Sequence, residues 1–354
     1  MRILAAMSGG VDSSVAAAIL KERGEDVVGV TMKLLPRAAT GFGCCGSPAD
    51  VDDAKRVCEA LGIAHYVADM SERFEQKVIK PYVAAYLDGT TPNPCVECNR
   101  SVKFGHLLNL AEAWGCEKVA TGHDARIIDG RLSTSIDARK DQTYFLYTLT
   151  SKELAKAEFP VGALTKDEVR ARARALSLRT ADKPESMETC FVPERDVRGF
   201  VASRAEASGA ATLTPGPIES TDGRVIGEHS GVASYTVGQR KGLGLTSPDP
   251  LYVVKLKPET NTLVVGDENA VMESTLVVGG VSWSAGAPAG PVRAQVRVRH
   301  RHSPADAGLS LNADGTVRVR FDAPQRAPAP GQAAVFYDGN FVLGGGTILR
   351  GPSR

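Results

Sequence analysis

The chain has 354 residues, enough for two or three domains with a sizeable core. Charged residues make up 23% and hydrophobic ones 43%, an ordinary balance for a globular protein, and the net charge is only +1. Any nucleic-acid binding must therefore come from local basic patches, and no apolar run approaches the roughly 20 residues that a membrane span needs. The start, MRILAAMSGG, is too short and too soon broken by glycine for a signal peptide, so a cytoplasmic protein with no membrane partner is expected. The seven cysteines (44, 45, 58, 95, 98, 116 and 190) are an odd number and give no secreted-type framework. In a reducing compartment, clustered cysteines point to catalysis or metal binding.

In chain order, RILAAM reads as a short buried strand. It runs into SGGVDSS and a helix with Val11, Val15, Ile19 and Leu20 at helical spacing, capped by Gly24. DVVGVTMKL is a second strand. The next helix has Ser47 as N-cap and Pro48 at its first position, carries Val51, Ala54, Val57, Cys58 and Leu61 on one face, and ends at Gly62. AHYVAD is a third strand. A helix over about 71–87 turns Phe74, Val78, Tyr82 and Tyr86 inward, and another over about 102–114 leads into the strand KVATGH. Strands alternating with helices predict an α/β unit, a parallel sheet with helices on both faces.

Beyond it the pattern changes. ARIIDGRLSTSID predicts a hairpin turning at Asp129-Gly130, and TKDEVRARARAL opens with a capping box from Thr165 to Glu168. From about residue 208 the chain is rich in Gly and Pro, and short strands follow one another: LYVVKLKP, NTLVVG, STLVVGGVSW, VRAQVRVRHRH, TVRVRFD and QAAVFYD. The expected organisation is a catalytic domain over 1–205, a small β-rich central domain over 206–270 and a C-terminal β-barrel over 271–354.

SGGVDSS, residues 8–14, sits between the first strand and the first helix. Gly9 and Gly10 let the backbone approach a ligand, and Ser8, Ser13 and Ser14 add hydroxyls. The backbone N–H groups and the positive end of the helix dipole complete an anion site. The GxxxxGK[ST] pattern of a Walker loop is absent. A Gly-Gly turn alone is as often plain structure; the flanking strand and helix and the serine–aspartate pattern favour phosphate.

SGGVDSS resembles the pyrophosphate loop of the N-type ATP pyrophosphatases, which grips the β,γ-pyrophosphate while AMP passes to the substrate. Other motifs follow in order: TPNPCVECNRSVKFG, VATGHDAR, RKDQTYFLYTL, FPVG, CFVPER, YTVGQRKGLG and PGQAAVFYDG with a later LGGG. Over nearly its whole length the chain is similar to the tRNA-specific 2-thiouridylase family. The resemblance implies an adenine nucleotide α-hydrolase-like first domain. It also implies an enzyme that uses ATP with Mg2+ to thiolate the wobble uridine of tRNA, held by its anticodon arm. Uridine O2 is a poor leaving group; AMP transfer onto it lets a sulfur nucleophile attack C2 and expel AMP. The sulfur would arrive as a cysteine persulfide, from a cysteine desulfurase or a relay protein.

Matched position by position, Cys98 falls on the family's nucleophilic cysteine. Cys190, in SMETCFVPE, falls on the persulfide carrier, in a segment expected to rearrange as substrate binds. Ala6, Met7, Ser8, Gly9, Gly10, Val11, Asp12, Ser13 and Ser14 match the nucleotide loop, with Asp12 needed for adenylation. Met32 matches the residue beside the adenine and Gly122 a nucleotide-contacting glycine. Asn93, Pro94 and Cys95 match the segment around the target base, which must be unstacked to reach the pocket. His123, Lys140, Asp141, Gln142, Arg299, His300 and Gln332 match RNA-contacting positions. Without the resemblance, Cys190 reads as a core thiol and Lys140-Asp141-Gln142 as a solvated loop.

Alternation along VRAQVRVRHRH puts Arg293, Arg297, Arg299 and Arg301 on one face and Val296 and Val298 on the other. Such a row would contact phosphates without reading bases, and a solvated barrel face is the plain alternative. Many members of the family carry Asp where this chain has Cys95, which leaves three readings of Cys95-x-x-Cys98 open. Cys98 and Cys190 form the working thiol pair with Cys95 auxiliary; or Cys95, Cys98 and Cys190 hold a 4Fe–4S cluster with one open iron; or the pair is half a zinc site completed by Cys44 and Cys45 or a histidine. Cys44-Cys45 follows the second strand, where α/β sheets place ligands, and reads equally as a surface loop with two thiols.

Overall fold

The computed structural model describes residues 1–35, 46–184, 189–205 and 211–351. The expectations for Cys44 and Cys45 lie outside them. The first domain is built on a parallel five-stranded sheet of order β3-β2-β1-β4-β7. Its strands are β1 (Arg2–Ala6), β2 (Asp26–Lys33), β3 (Ala64–Asp69), β4 (Lys118–Ala120) and β7 (Ala157–Glu158). Alternation along β1 and β2 divides the core in two. Ile3, Ala5 and Val27 face α1 (Val11–Glu22), α2 (Pro48–Ala60) and α8 (Lys166–Ala175), and Leu4, Val28 and Val30 face the helices of the other side. The predicted two-faced α/β unit is thus present.

On that second side the helices depart from the simple 3.6-residue pattern. The segment predicted as one helix over 71–87 is α3 (Ser71–Phe74), a π segment (Glu75–Ile79) and α4 (Lys80–Leu87). Pro81 supplies the reason: its ring would crowd the carbonyl four residues back, and a widened turn relieves that. The helix predicted from 102 begins earlier, as α5 (Pro94–Glu97), a π segment (Cys98–Phe104) and α6 (Gly105–Ala113). Cys95 and Cys98 are therefore helical residues. The second layer is completed by α9 (Val197–Ala205), while α7 (Ser151–Ala155) precedes β7. Both bonds of the predicted Thr165–Glu168 capping box form, and Thr150–Glu153 makes a second one.

The hairpin of β5 (Ala125–Ile128) and β6 (Arg131–Thr134) turns at Asp129-Gly130, both with positive φ. It leaves the first domain's sheet and extends the barrel's, where Ser133 pairs with Phe341. The central domain is a four-stranded sheet of order β10-β11-β8-β9, from β8 (Gly216–Ser220), β9 (Val225–His229), β10 (Tyr252–Lys257) and β11 (Thr262–Gly266). The barrel strands are β12 (Met272–Trp283), β13 (Val292–Arg297), β14 (Ala305–Leu311), β15 (Val317–Arg326), β16 (Ala333–Asp338) and β17 (Phe341–Ile348). Pairing of β12 with both β15 and β17 closes the six strands into a barrel filled by Val278, Val296, Val319 and Phe336.

The predicted arginine strand stops at Arg297. Val298 is still buried, but the chain then bends because the Arg299 guanidinium turns inward and donates to the carbonyls of Val237 and Ala327 at 2.7 and 2.8 Å. No continuous row of arginines forms: Arg293 pairs with Asp322, and Arg297 pairs with Asp141 and lies over the Tyr337 ring.

Candidate active site

Strand β1 lies between β2 and β4, so the chain leaves it in opposite directions, and the crevice at the strands' carboxyl ends is where such sheets bind ligands. The loop after β1 occupies it. Gly9 has φ +72°, and a Cβ there would meet the Asp50 carbonyl oxygen at 2.3 Å, so only glycine fits. Gly10 precedes α1, whose first turn holds Val11, Asp12, Ser13 and Ser14. Ser13 and Ser14 donate to the Gly10 carbonyl, and the Ser8 N–H donates to Ser13 Oγ, which braces the loop. Ala6, Met7 and Met32 pack into the sheet's core beneath it. Gly122, after β4, closes the other wall: a Cβ there would lie 2.5 Å from the Ser13 nitrogen.

Two lysines that the sequence reading did not single out reach this loop. Lys166, on α8 and buried, places Nζ 2.5 Å from Asp12. Lys183 donates to the Gly9 carbonyl at 2.9 Å and to Asp50 and Asp53 at 2.7 Å each. Burial works against the Lys183 charge, but Asp50 and Asp53 outweigh it and hold its pKa above the ordinary value. Thr180 donates to Ser14, and Arg170 donates to the carbonyls of Ala181 and Lys183, so the segment leading to Cys190 is tied to the loop. The available signal was the position of Lys183, seven residues before that cysteine.

The thiols lie on the second side of the sheet. Cys98, 9% exposed, belongs to a core cluster with Phe191 and Val192, and Cys190 packs against the same cluster. Phe191 anchors this segment edge-on to Phe74 and Tyr82. Cys95 stands near Cys190: burial pushes the Cys95 thiol up to about 11, the Cys190 charge adds to the rise, and the Lys103 ammonium opposes it. A helix N-terminus alone would lower a thiol's pKa, so here burial wins. Tyr82 hydrogen-bonds Tyr86 and Thr189, and Tyr86 reaches Thr236 of the central domain. Thr236 in turn accepts from Thr91.

His123 joins the two centres. It is 8% exposed, its Nδ1 is 2.7 Å from Thr121 Oγ1, and its Nε2 is 3.4 Å from Lys103 Nζ. Burial first and Lys103 second hold its pKa well below the usual value, so the ring is neutral. A neutral ring accepts from Lys103 at Nε2 and donates from Nδ1 to Thr121.

The remaining positions predicted to contact RNA gather at the seam between first domain and barrel. Several of their side chains are used inside the protein, which corrects the picture of a solvated loop at Lys140-Asp141-Gln142. Asp141 is buried, accepts from Ser135, Thr143 and Arg297, and its carbonyl faces His300. Gln142 accepts from the Asp124 N–H, while Lys140 is half-exposed. Gln332 donates to the carbonyls of Thr91 and Pro92 and so fixes the turn before Pro94. Asn93 hydrogen-bonds Tyr144, and His300 stacks on Phe145 at 4.4 Å.

Cys95, Cys98 and Cys190 do not form a metal cage here: among the described residues no group of three His, Cys, Asp or Glu side chains could hold a metal ion. Cys44 and Cys45, which could complete the zinc reading, lie outside those residues, and no step below is routed through a metal centre.

Three family models match in succession: a tRNA methyl transferase HUP domain over 1–194, a tRNA methyl transferase PRC-barrel domain over 208–267 and an aminomethyltransferase beta-barrel domain over 273–348. The tRNA-specific 2-thiouridylase MnmA of Heliobacterium modesticaldum is 46% identical, covering 98% of this chain and 92% of that one. The chain belongs to the tRNA-specific 2-thiouridylase family. Other relatives with the same description come from Symbiobacterium thermophilum, 47% identical over 99% of this chain and 92% of that one, and from Solibacter usitatus, 47% identical over 98% of each. Although two model descriptions speak of a methyl transferase, these relatives are described as 2-thiouridylases. The loop after β1 carries Gly9 to Ser14, and α5 with the π segment after it carries Cys95 and Cys98. No helix of the described residues is long and apolar enough to cross a membrane.

Proposed function

We propose that this chain is an ATP-dependent tRNA-uridine 2-sulfurtransferase acting on the wobble uridine. ATP enters as its magnesium complex, with its β,γ-phosphates in the loop of Ser8 to Ser14. The uridine O2 attacks the α-phosphorus, pyrophosphate leaves, and O2 carries AMP. The terminal sulfur of a Cys190 persulfide then attacks C2. The C2–S bond forms, the C2–O bond breaks, and the electron pair departs on AMP. The Cys98 thiolate attacks Cys190 Sγ, the S–S bond breaks toward the uridine sulfur, and 2-thiouridine leaves a Cys98–Cys190 disulfide. A small-molecule or protein thiol reduces it, and a persulfide-bearing donor protein reloads Cys190.

The observation that carries this reading is the placing of Cys98 and Cys190 on one core cluster, with Cys95 beside Cys190. Exposed Arg240, Lys241 and Arg301, with Lys140, supply charge for the tRNA backbone, and the seam holding Asn93 and Gln332 shapes the base entry. The test is AMP release with and without tRNA, beside thiolation by Cys98→Ser and Cys190→Ser. AMP should appear only with tRNA, and each mutant should bind tRNA yet form no 2-thiouridine. Full thiolation by either mutant would sink the assignment.

A further inference from the structure

The π segment Cys98–Phe104 has a consequence for the reaction. Its backbone is bonded five residues back, as in Gly105 N–H to Arg100 O. In an α-helix a residue five positions on points about 140° away. In the π register it returns close to the face of the first. Lys103 therefore comes one wide turn below Cys98, on the side where Cys95 stands. Its Nζ lies 3.4 Å from His123 Nε2. His123 follows Gly122, which lies against the Ser13 nitrogen of the ATP loop. The Lys103 side chain thus reaches from the helix that carries Cys95 and Cys98 toward the end of β4, where the proposed adenylate would form. Its charge is felt at both ends, by Cys95 and by His123.

We infer that Lys103 is a catalytic residue of the sulfur-transfer step, holding the departing AMP phosphate as the C2–O bond breaks. The inference rests on the sulfurtransferase reading above. As C2–S forms and C2–O breaks, negative charge moves from the persulfide sulfur to the AMP oxygen. A fixed ammonium there stabilises the transition state more than the ground state. The neutral His123 ring, accepting from Lys103, orients it without competing for the phosphate. Lys103 stays protonated throughout, so no proton is unaccounted for. The π turn has a function on this account: an α-helical register would swing the ammonium away from the thiols.

Lys103→Met and Lys103→Arg test it with whole tRNA and a persulfide-loaded donor, against wild type. Three quantities are read: tRNA-dependent pyrophosphate release, single-turnover thiolation, and the alkylation rate of Cys95 by mass spectrometry. Lys103→Met should release pyrophosphate within about threefold of wild type and thiolate about 100-fold more slowly, the scale for losing one transition-state donor. Its Cys95 should alkylate more slowly at pH 9, because a cation that favours the thiolate is gone; a merely structural role would not move that rate in this direction. Lys103→Arg should recover at least about a tenth of the thiolation rate, since it keeps the charge. If Lys103→Met does not fold, Lys103→Gln decides in its place. Thiolation by the neutral variant within about threefold of wild type would overturn the inference, as would equal loss of pyrophosphate release and thiolation. Wild-type protein that thiolates no tRNA would instead overturn the reading on which it rests.

Discussion

The Nζ of Lys166 lies 2.5 Å from Oδ1 of Asp12, bridging 154 residues of chain across the mouth of the ATP loop. Asp12 stands in the first turn of α1, where the helix dipole and the loop's N–H groups favour an anion. Its own charge is balanced by Lys166, at the loop proposed to take the phosphates. Asp12→Ala should abolish tRNA-dependent AMP release. It should cost about 1–3 kcal/mol of stability, less than a fully buried pair because Asp12 is partly open to solvent. Pyrophosphate release and thermal melting measure the two effects separately, and normal AMP formation by the mutant would count against the loop's role.

Lys183 is held by two carboxylates and the Gly9 carbonyl. Lys183→Met would leave Asp50 and Asp53 facing each other behind the loop, adding negative charge where a triphosphate must enter. ATP affinity should fall at least about tenfold, corresponding to roughly 1.4 kcal/mol, while tRNA affinity stays within twofold or so. Because the folded pKa of Lys183 is raised above 10.5, its contribution to stability is present below that value and lost as pH rises through the folded pKa. Calorimetric ATP titration checks the first point. Wild type and mutant melting curves that converge only above pH 10.5 check the second.

Asp141 and Arg297 form a buried pair at the seam of first domain and barrel. Asp141→Ala would strand the guanidinium, at a cost of about 3–5 kcal/mol. Lys140→Ala, one residue away and half-exposed, should leave the melting temperature unchanged and weaken tRNA binding with a shallower salt dependence. Equal effects of the two substitutions on melting would contradict this division of labour.

Local signals carried much of this architecture. Short apolar runs marked β1 to β4, 3.6-residue spacing marked α1 and α2, and the Thr165–Glu168 box marked the start of α8. What was not legible depends on neighbours distant in sequence. Nothing in ARIIDGRLSTSID says that its hairpin pairs with β17, and nothing in VRVRHRH says that Arg299 finds a carbonyl of the central domain and another beyond β15. The π segments were missed because an apolar pattern with one extra residue still reads as a helix. β14, ADAGLSL, was missed because its small residues give weak alternation. At the site, the loop and the cysteines were legible from motif chemistry. Lys166, Lys183 and Lys103 were not, since a lysine on a charged helix or loop looks like any other until the fold brings an acid or a ring beside it.

Cys95 gives a direct reading of the thiol geometry. Its pKa of about 11 means that in the free protein it is a thiol at physiological pH, and alkylation tracks the thiolate fraction. Its rate should climb about tenfold per pH unit between roughly pH 8 and 10. Part of the elevation comes from Cys190, and a like charge nearby disfavours a second one. Cys190→Ser removes that charge, so Cys95 should alkylate faster at pH 9 in the mutant than in wild type. Peptide mass spectrometry after timed alkylation distinguishes Cys95 from Cys98 if the protein is cleaved at Glu97. An unchanged Cys95 rate would mean that the two thiols do not face each other. A faster one would place Cys95 beside the persulfide carrier as a protonated neighbour. A thiol that keeps its proton is a poor nucleophile, which accords with the proposal that Cys98 and Cys190 are the working pair.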